Sequence, residues 1–300
     1  MATATLEPPS AATRARKPRP TMRKRLRDLL RWNWLGGLAA WFWFFVVLLP
    51  IYWVVITSFK NQNNYYQSNQ LAPPGNPTLE NYRAVLDEHF IRYLVNSVIV
   101  TVGAVVPAVL LSFMAAYAII RDGRRLFVRS TNGLFLMGLA IPLQATIIPI
   151  FLLIIKLQLY DTLLAMILPS IAFAIPLSVL VLSNFIRDVP NELFESMRVD
   201  GASDWQMLWR LAFPLTRPAL ITVTIYNGLT IWNGFLLPLV LTQSADKQTV
   251  PLALSAFQGQ FGINFPAVMA AVLLSLLPIL ALYILARRHV MSGLSGGFTK

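Results

Sequence analysis

Few side chains in this 300-residue sequence could do chemistry, and the motifs that suggest it lack the context they need. Gly293, Ser295 and Gly297 have the G-x-S-x-G spacing of a nucleophile elbow. Such a serine needs a strand-turn-helix and a positioned acid and base, and this one ends a long apolar run. The phosphate-cradling pattern G-x-x-x-x-G-K-[ST] is absent, so the chain carries no P-loop of its own. There is no cysteine, which removes disulfides, iron-sulfur clusters and thiolate zinc sites together. His89 and His289 flank different apolar runs and fall on opposite sides of a bilayer, too far apart to share a metal. No catalytic residue, bound cofactor or metal is expected. One charged segment remains, ELFESMRVDGASDW at 192–205, set between long apolar stretches.

The surroundings explain how such a segment is positioned. The chain is 56% apolar and 13% charged, the composition of a polytopic membrane protein. Spanning a core about 30 Å thick takes roughly 20 apolar residues. Six charge-free windows of that size occur, at Leu35 to Phe59, Tyr93 to Ile120, Thr131 to Ile155, Thr162 to Ile186, Ala219 to Leu241 and Pro266 to Ala286. An even number puts both termini on one side. Of the 25 basic residues, only Lys60, Arg83, Arg92, Lys156 and Lys247 fall on the other side, so the positive-inside rule places both termini and the 187–217 loop in the cytoplasm. The net charge of +12 is thus a topology signal and not a nucleic-acid footprint.

This divides the chain into a basic N-terminal tail (1–31), expected to be disordered and to lie near anionic lipid headgroups, a six-helix domain (32–290) containing the 187–217 loop, and a C-terminal tail (291–300). Outside the membrane, Thr78 is placed to cap a short helix with Glu80 and Asn81 in its first turn. The last external segment, around Gln258 to Gln260, is semi-apolar and suited to entering a cavity mouth. Prolines at 107, 142, 149, 169, 176, 238 and 278 fit helices that flex around a cavity.

Within the loop, Pro190 suits a helix start and Leu193, Phe194 and Met197 share a face, with Glu192 and Glu195 at the N-terminal end. Gly201 supplies a positive φ that ends this helix. Ser203 and Gln206 have capping-box spacing for a second helix, whose stripe is Trp205, Leu208, Trp209 and Ala212 until Pro214 and Pro218 interrupt it. An interfacial helix would favour Lys and Arg on its polar face, whereas this loop carries Asp188, Glu192, Glu195, Asp200 and Asp204 against four arginines. An acidic helix pair with an apolar edge fits a basic-rimmed groove on a protein partner.

Glu195-Ser196-Met197, three residues, Gly201, nine residues, Leu211, one residue and Phe213-Pro214 resembles the E-A-A, G, I-x-L-P loop of ABC importer permeases. IPLQATIIPIFLLIIKLQLYDTLLAMILPS, WNGFLLPLVLT and TVPLALSAFQGQFGINFPAVMAAVLLSLLPI extend the resemblance to the carbohydrate-uptake branch and its maltose-type second permease, over residues 30 to 295. The resemblance implies an all-α permease fold in the cytoplasmic membrane. It also implies an ATP-driven import system in which a second permease subunit makes a heterodimer with this chain, a cytoplasmic ATPase dimer binds ATP and Mg, and an extracytoplasmic protein captures the sugar. By position, Glu195 and Asp200 would face the ATPase, Gly201 would set the joint, and Leu211, Phe213 and Pro214 would anchor the loop. Ser196 and Met197 stand where relatives keep two alanines. The tail at 293–297 would extend toward the ATPase. Gln258, Gly259 and Gln260 would form the loop that reaches into the binding protein.

A carbohydrate path needs uncharged polar groups and aromatic faces, for which Asn96, Gln144, Asn227, Trp232 and Asn233 are the candidates. Each has a plainer role open to it, as interhelical hydrogen-bonding glue or an interface anchor. An ion-coupled secondary transporter would keep ionisable groups inside its spans, and none of these spans holds one. An ABC permease for a solute other than sugar is the remaining alternative.

Overall fold

The computed structural model describes residues 34–87, 89–122, 126–256, 258–259 and 262–296. The expected N-terminal tail (1–31) and Gln260 lie outside them, as do 297–300. The chain divides into two compact units after Tyr52. The first comprises, among the described residues, the N-terminal part of helix α1 (Trp34–Ser58). That part is apolar all round, with Leu38, Trp41, Phe42 and Trp43 exposed and edge-to-face packing of Trp41 on Phe44 at 5.6 Å. A helix without a polar face is stable only in an apolar medium.

The second unit begins at Trp53 and holds the rest. Besides short helical pieces at Gln62–Tyr65, Phe213–Leu215 and Ala245–Lys247, its helices are α2 (Glu80–Asp87), α3 (Phe90–Arg121), α4 (Leu126–Gly138), α5 (Leu143–Lys156), α6 (Leu163–Arg187), α7 (Asn191–Val199), α8 (Asp204–Met207), α9 (Arg217–Trp232), α10 (Leu236–Leu241), α11 (Val250–Ala256) and α12 (Phe265–Gly296). A two-residue antiparallel pair, β1 (Gln258–Gly259) with β2 (Gly262–Ile263), precedes α12. The architecture is otherwise helical, as expected of a polytopic membrane protein.

Helices α1, α3 and α6 are long and apolar enough to cross a membrane, and α5 and the first part of α12 are shorter apolar helices. The expected third and fifth spans are not continuous. The third is α4 and α5, separated by a turn at Leu139–Pro142, because Pro142 has no N–H and disfavours a helical Ile141. The fifth is α9 and α10, parted at Asn233, Gly234 and Phe235. Pro107, Pro169 and Pro176, by contrast, are accommodated inside α3 and α6. α12 runs on to Gly296, into the segment expected as a tail.

α3 and α6 form the central pair. Of the four apolar clusters around them among the described residues, two mark the ends of the bundle. One, at the end of the bundle that carries the 187–217 loop, unites Phe113 and Tyr117 of α3 with Leu182 and Ile186 of α6, Phe194 of α7 and Met207. The other, at the opposite end, joins Val85, Phe90, Val250 and Ala267.

Candidate functional site

The loop folds as two helices with a left-handed joint. α7 ends where Gly201 adopts φ +80°, with Gly201 N donating to Arg198 O (3.1 Å) and Ala202 N to Met197 O (2.9 Å). This closure satisfies carbonyls that the helix end would otherwise leave open. Ser203 caps α8: its Oγ accepts from Gln206 N at 3.3 Å, and Gln206 Oε1 accepts from Ser203 N at 2.9 Å. An exposed Arg198–Asp204 ion pair bridges the joint at 3.3 Å and contributes little to stability.

After Met207 the helix widens to a π-turn over Leu208–Ala212, with Phe213 N donating to Leu208 O. Pro214 causes it, since it cannot donate to the carbonyl four residues back and its ring crowds that position. The turn aims Trp209 and Phe213 at Phe113 of α3, at ring separations of 6.0 and 5.9 Å. Leu211 packs against the same cluster, whereas Pro214 is exposed.

Exposure sorts the loop residues into two sets. Phe194 is 1% exposed and Met197 is half-buried against the cluster, so these two face inward. Leu193, expected on the same face, is 41% exposed, because α7 inserts only its Phe194–Met197 edge. Glu192, Glu195, Ser196 and Asp200 are exposed, along with Val199 (87%) and Trp205 (59%). Ser196 Oγ donates to Leu193 O within its own helix, at 3.0 Å. The outer face is therefore acidic with uncovered apolar side chains, a chemistry that suits docking to a protein.

Both helix breaks face a cavity of about 340 Å³. Gly138 and Leu139 border it from the first break, Gly234 and Phe235 from the second. At Gly234 a Cβ would lie 3.0 Å from Ile231 O, so a side chain at the second break would press on that carbonyl. Gln144, Asn227 and Trp232 all line this cavity. Asn227 is 3% exposed and its Nδ2 donates to Ser178 Oγ at 2.8 Å, which leaves its Oδ1 unengaged by that bond. Asn233 is not part of the wall; its Nδ2 turns back to Leu229 O at 2.7 Å and tightens the end of α9. No Asp, Glu, Lys, Arg or His is among the lining residues. Reading the sequence for polar candidates missed Thr101, Phe173, Tyr226 and Thr249 in the same wall. Pro142 and the Asn233-Gly234 pair were the available signals for where the helices part.

Asn96 is a clasp and not part of the wall. Buried at the start of α3, its Nδ2 donates to Asp246 O and Gln248 O, both at 2.9 Å, and Ser97 Oγ accepts from Val250 N at 2.8 Å. These bonds hold Thr249 at the cavity. Nearby, Asp161, itself in left-handed backbone at φ +60°, accepts from Gln243 N (2.8 Å) and Ser244 N (2.9 Å) and pairs with the Ser244 hydroxyl. These hydrogen bonds, the Ser244 hydroxyl first, hold its carboxyl below the usual carboxylate range. Asn81 Nδ2 likewise spans Ser58 O and Lys60 O, each at 2.8 Å. Gln258 and Gly259 form β1, paired with Ile263 and Gly262.

Residues 108–292 match the family described as binding-protein-dependent transport system inner membrane component. The chain is 39% identical over 279 residues to the putative ABC transporter permease protein ORF2 of Caldicellulosiruptor sp. (strain Rt8B.4), covering 92% of this chain and 98% of that one. It is 33% identical over 261 residues to the diacetylchitobiose uptake system permease protein NgcG of Streptomyces coelicolor, covering 85% of each. Its fold is similar to a chain in the crystal structure of a bacterial ABC transporter involved in the import of the acidic polysaccharide alginate, with TM-score 0.71 and 24% identity over 91% of this chain and 99% of that one. A broken-helix bundle with an acidic two-helix loop thus coincides with a family match over most of the chain, and this protein belongs to the binding-protein-dependent inner membrane components, the permeases of ABC transporters.

Proposed function

We propose that this chain is the permease subunit of an ATP-driven importer for neutral sugars or short oligosaccharides. The observation that carries the substrate class is the cavity at the two helix breaks. Its wall offers amides at Gln144 and Asn227, hydroxyls at Thr101 and Thr249, and rings at Trp232, Phe173 and Tyr226, with no charged residue. Sugar hydroxyls need paired donors and acceptors, and sugar faces need apolar rings. A carboxylate in the same cavity would be desolvated without a counter-charge, which is costly. The uptake system of the diacetylchitobiose relative agrees with this class.

Coupling runs through the 190–214 loop. Its acidic outer face, with Glu195 and Asp200 exposed, docks in a basic-rimmed cleft of a cytoplasmic ATPase dimer that binds ATP and Mg. Ser196 and Met197 set the local fit, Gly201 is the joint, Leu211 and Phe213 secure the loop to the bundle, and Pro214 acts through the wide turn that seats them. The chain pairs with a second permease to complete the path across the cytoplasmic membrane. Both termini face the cytoplasm, where the basic residues concentrate. Gln258, Gly259 and Gln260 reach toward an extracytoplasmic sugar-binding protein. This subunit binds no cofactor and catalyses nothing.

The experiment is charge reversal at Glu195 in the complete complex in proteoliposomes, using the neutral sugar that most raises the melting temperature of the binding protein. Glu195→Lys is expected to leave membrane insertion intact and to cut ATP-driven uptake at least roughly tenfold, since it replaces attraction with repulsion at the docking surface. Undiminished uptake overturns the assignment of Glu195.

A further inference from the structure

Arg121 is the last residue of α3, and it holds α7 twice. Its guanidinium carbon lies 4.3 Å from the centroid of the Phe194 ring, and its Nη1 donates to Asn191 Oδ1 at 3.2 Å. Both partners sit on α7, 70 residues further along the chain. One turn back on α3, the Tyr117 ring lies 6.2 Å from the same Phe194 ring. Phe194 is the one α7 side chain that is fully buried. At the tip of α3 the helix with the acidic outer face is thus held by the Phe194 ring, set against Tyr117 and the guanidinium, and by the Asn191 amide beside it.

The other end of α3 borders the cavity, to which it contributes Ser97, Val100 and Thr101. Between the two ends α3 is one continuous helix of 32 residues that accommodates Pro107 without a break. A helix of that kind transmits an axial or tilting displacement along its length, whereas α4 with α5 and α9 with α10 are interrupted beside the cavity. We propose that Arg121 is the positioning residue that fastens α7 to α3, so that displacement of the 187–217 loop reaches the cavity wall along α3. This rests on the reading of that loop as the ATPase docking surface. The chemistry favours arginine over lysine at this place. A planar guanidinium stacks on a ring face and keeps an edge N–H free for the Asn191 amide, while an ammonium is a strongly hydrated point charge.

The chain contains no cysteine, so in a complex whose partner subunits have been made cysteine-free, spin labels report only the introduced positions. Ile99→Cys on α3 and Leu239→Cys on α10 put labels on exposed residues of two wall-forming helices. In the full complex, the distance between them is measured by pulsed electron resonance with and without ATP and vanadate, together with ATP turnover. The wild-type background is expected to show a nucleotide-dependent change in distance. Arg121→Gln should keep subunit stoichiometry and hold ATP turnover within roughly twofold, yet reduce the distance change to about half or less, with Arg121→Lys intermediate. Phe194→Leu should have the same effect, and the double variant should be no worse than either single one, because both remove one contact.

An undiminished distance change in Arg121→Gln, or additive losses in the double variant, overturns the proposal. If Arg121→Gln does not assemble, Arg121→Lys and Phe194→Leu decide by the same criterion. Glu195→Lys separates the two ideas. If it abolishes the distance change while Arg121→Gln does not, the docking surface stands and the fastening role falls. If neither variant alters the distance change, the docking assignment falls with it.

Discussion

Both ends of the bundle have a buried apolar cluster, but the segments that cross them are fixed in different ways. At the loop end, α7 and the π-turn are seated by rings: Phe194 among Tyr117 and Arg121, and Trp209 and Phe213 against Phe113. At the opposite end, single polar side chains reach across to backbone. Asn96 takes two carbonyls, Asn81 takes two, Lys60 Nζ donates to Asn69 O and Gln70 O, and Asp161 gathers two amides and a hydroxyl. Apolar contact is non-directional and survives a shift of an ångström, whereas a hydrogen bond fails with modest misalignment. The contacts at the loop end are therefore the more tolerant of a change in orientation. The opposite end is built to keep one register.

Breaking the apolar end should have the largest effect. Phe194→Ala removes a fully buried ring and is expected to destabilise by about 3–5 kcal/mol, read as a lowered thermal midpoint in detergent, with ATP turnover in the assembled complex uncoupled from transport. Asn96→Ala strands two carbonyls at the other end. It should cost about 2–3 kcal/mol and speed amide exchange across 245–250, while uptake per ATP stays near wild type. If Asn96→Ala uncouples transport and Phe194→Ala does not, the contrast between the ends is inverted.

A smaller effect is expected at the joint. Gly201→Ala forces a Cβ into left-handed backbone for about 1–2 kcal/mol, although nothing crowds the site. Its signature is a shifted α7–α8 angle, seen as lower affinity of the assembled ATPase, with little change in the thermal midpoint of the bundle.

The smallest effect concerns pH. Because the Asp161 carboxyl is held below its usual range, the folded state favours the ionised form. Its contribution is fully present above the unfolded value near 4 and is lost as pH falls through the lower folded value. Thermal midpoints should therefore be insensitive to this group between neutral pH and about 4, then fall. Asp161→Asn should remove that fall.

The loop was legible in the sequence for a physical reason. Its signals are local: a glycine at the positive-φ joint, Ser203 three residues before Gln206, acids in the first turn. Thr78 was legible likewise, as Glu80 N donates to its Oγ1 at 3.1 Å. The interior of the bundle was less so. Counting charge-free residues treats a span as uniform, and Leu139–Pro142 and Asn233–Phe235 pass that count while ending helices. The partners of Asn96 and Asn233 depended on what came within reach. Asn96 found the 246–248 backbone about 150 residues away, and Asn233 found its own helix. Composition identifies an amide in a span but not the direction it turns. Arg121 was legible only as one of the charges that set topology, because its stacking on Phe194 depends on the fold.

The π-turn at Leu208–Ala212 gives the loop motif a reason for its fixed length. Each residue of an α-helix advances the chain by about 100° around the axis, so one residue added or removed between Gly201 and Phe213 would swing Trp209 and Leu211 off the α3 cluster. The interval from Gly201 to Pro214 acts as a counter of rotation, and a single deletion in it should disturb the seating of the loop more than most substitutions there.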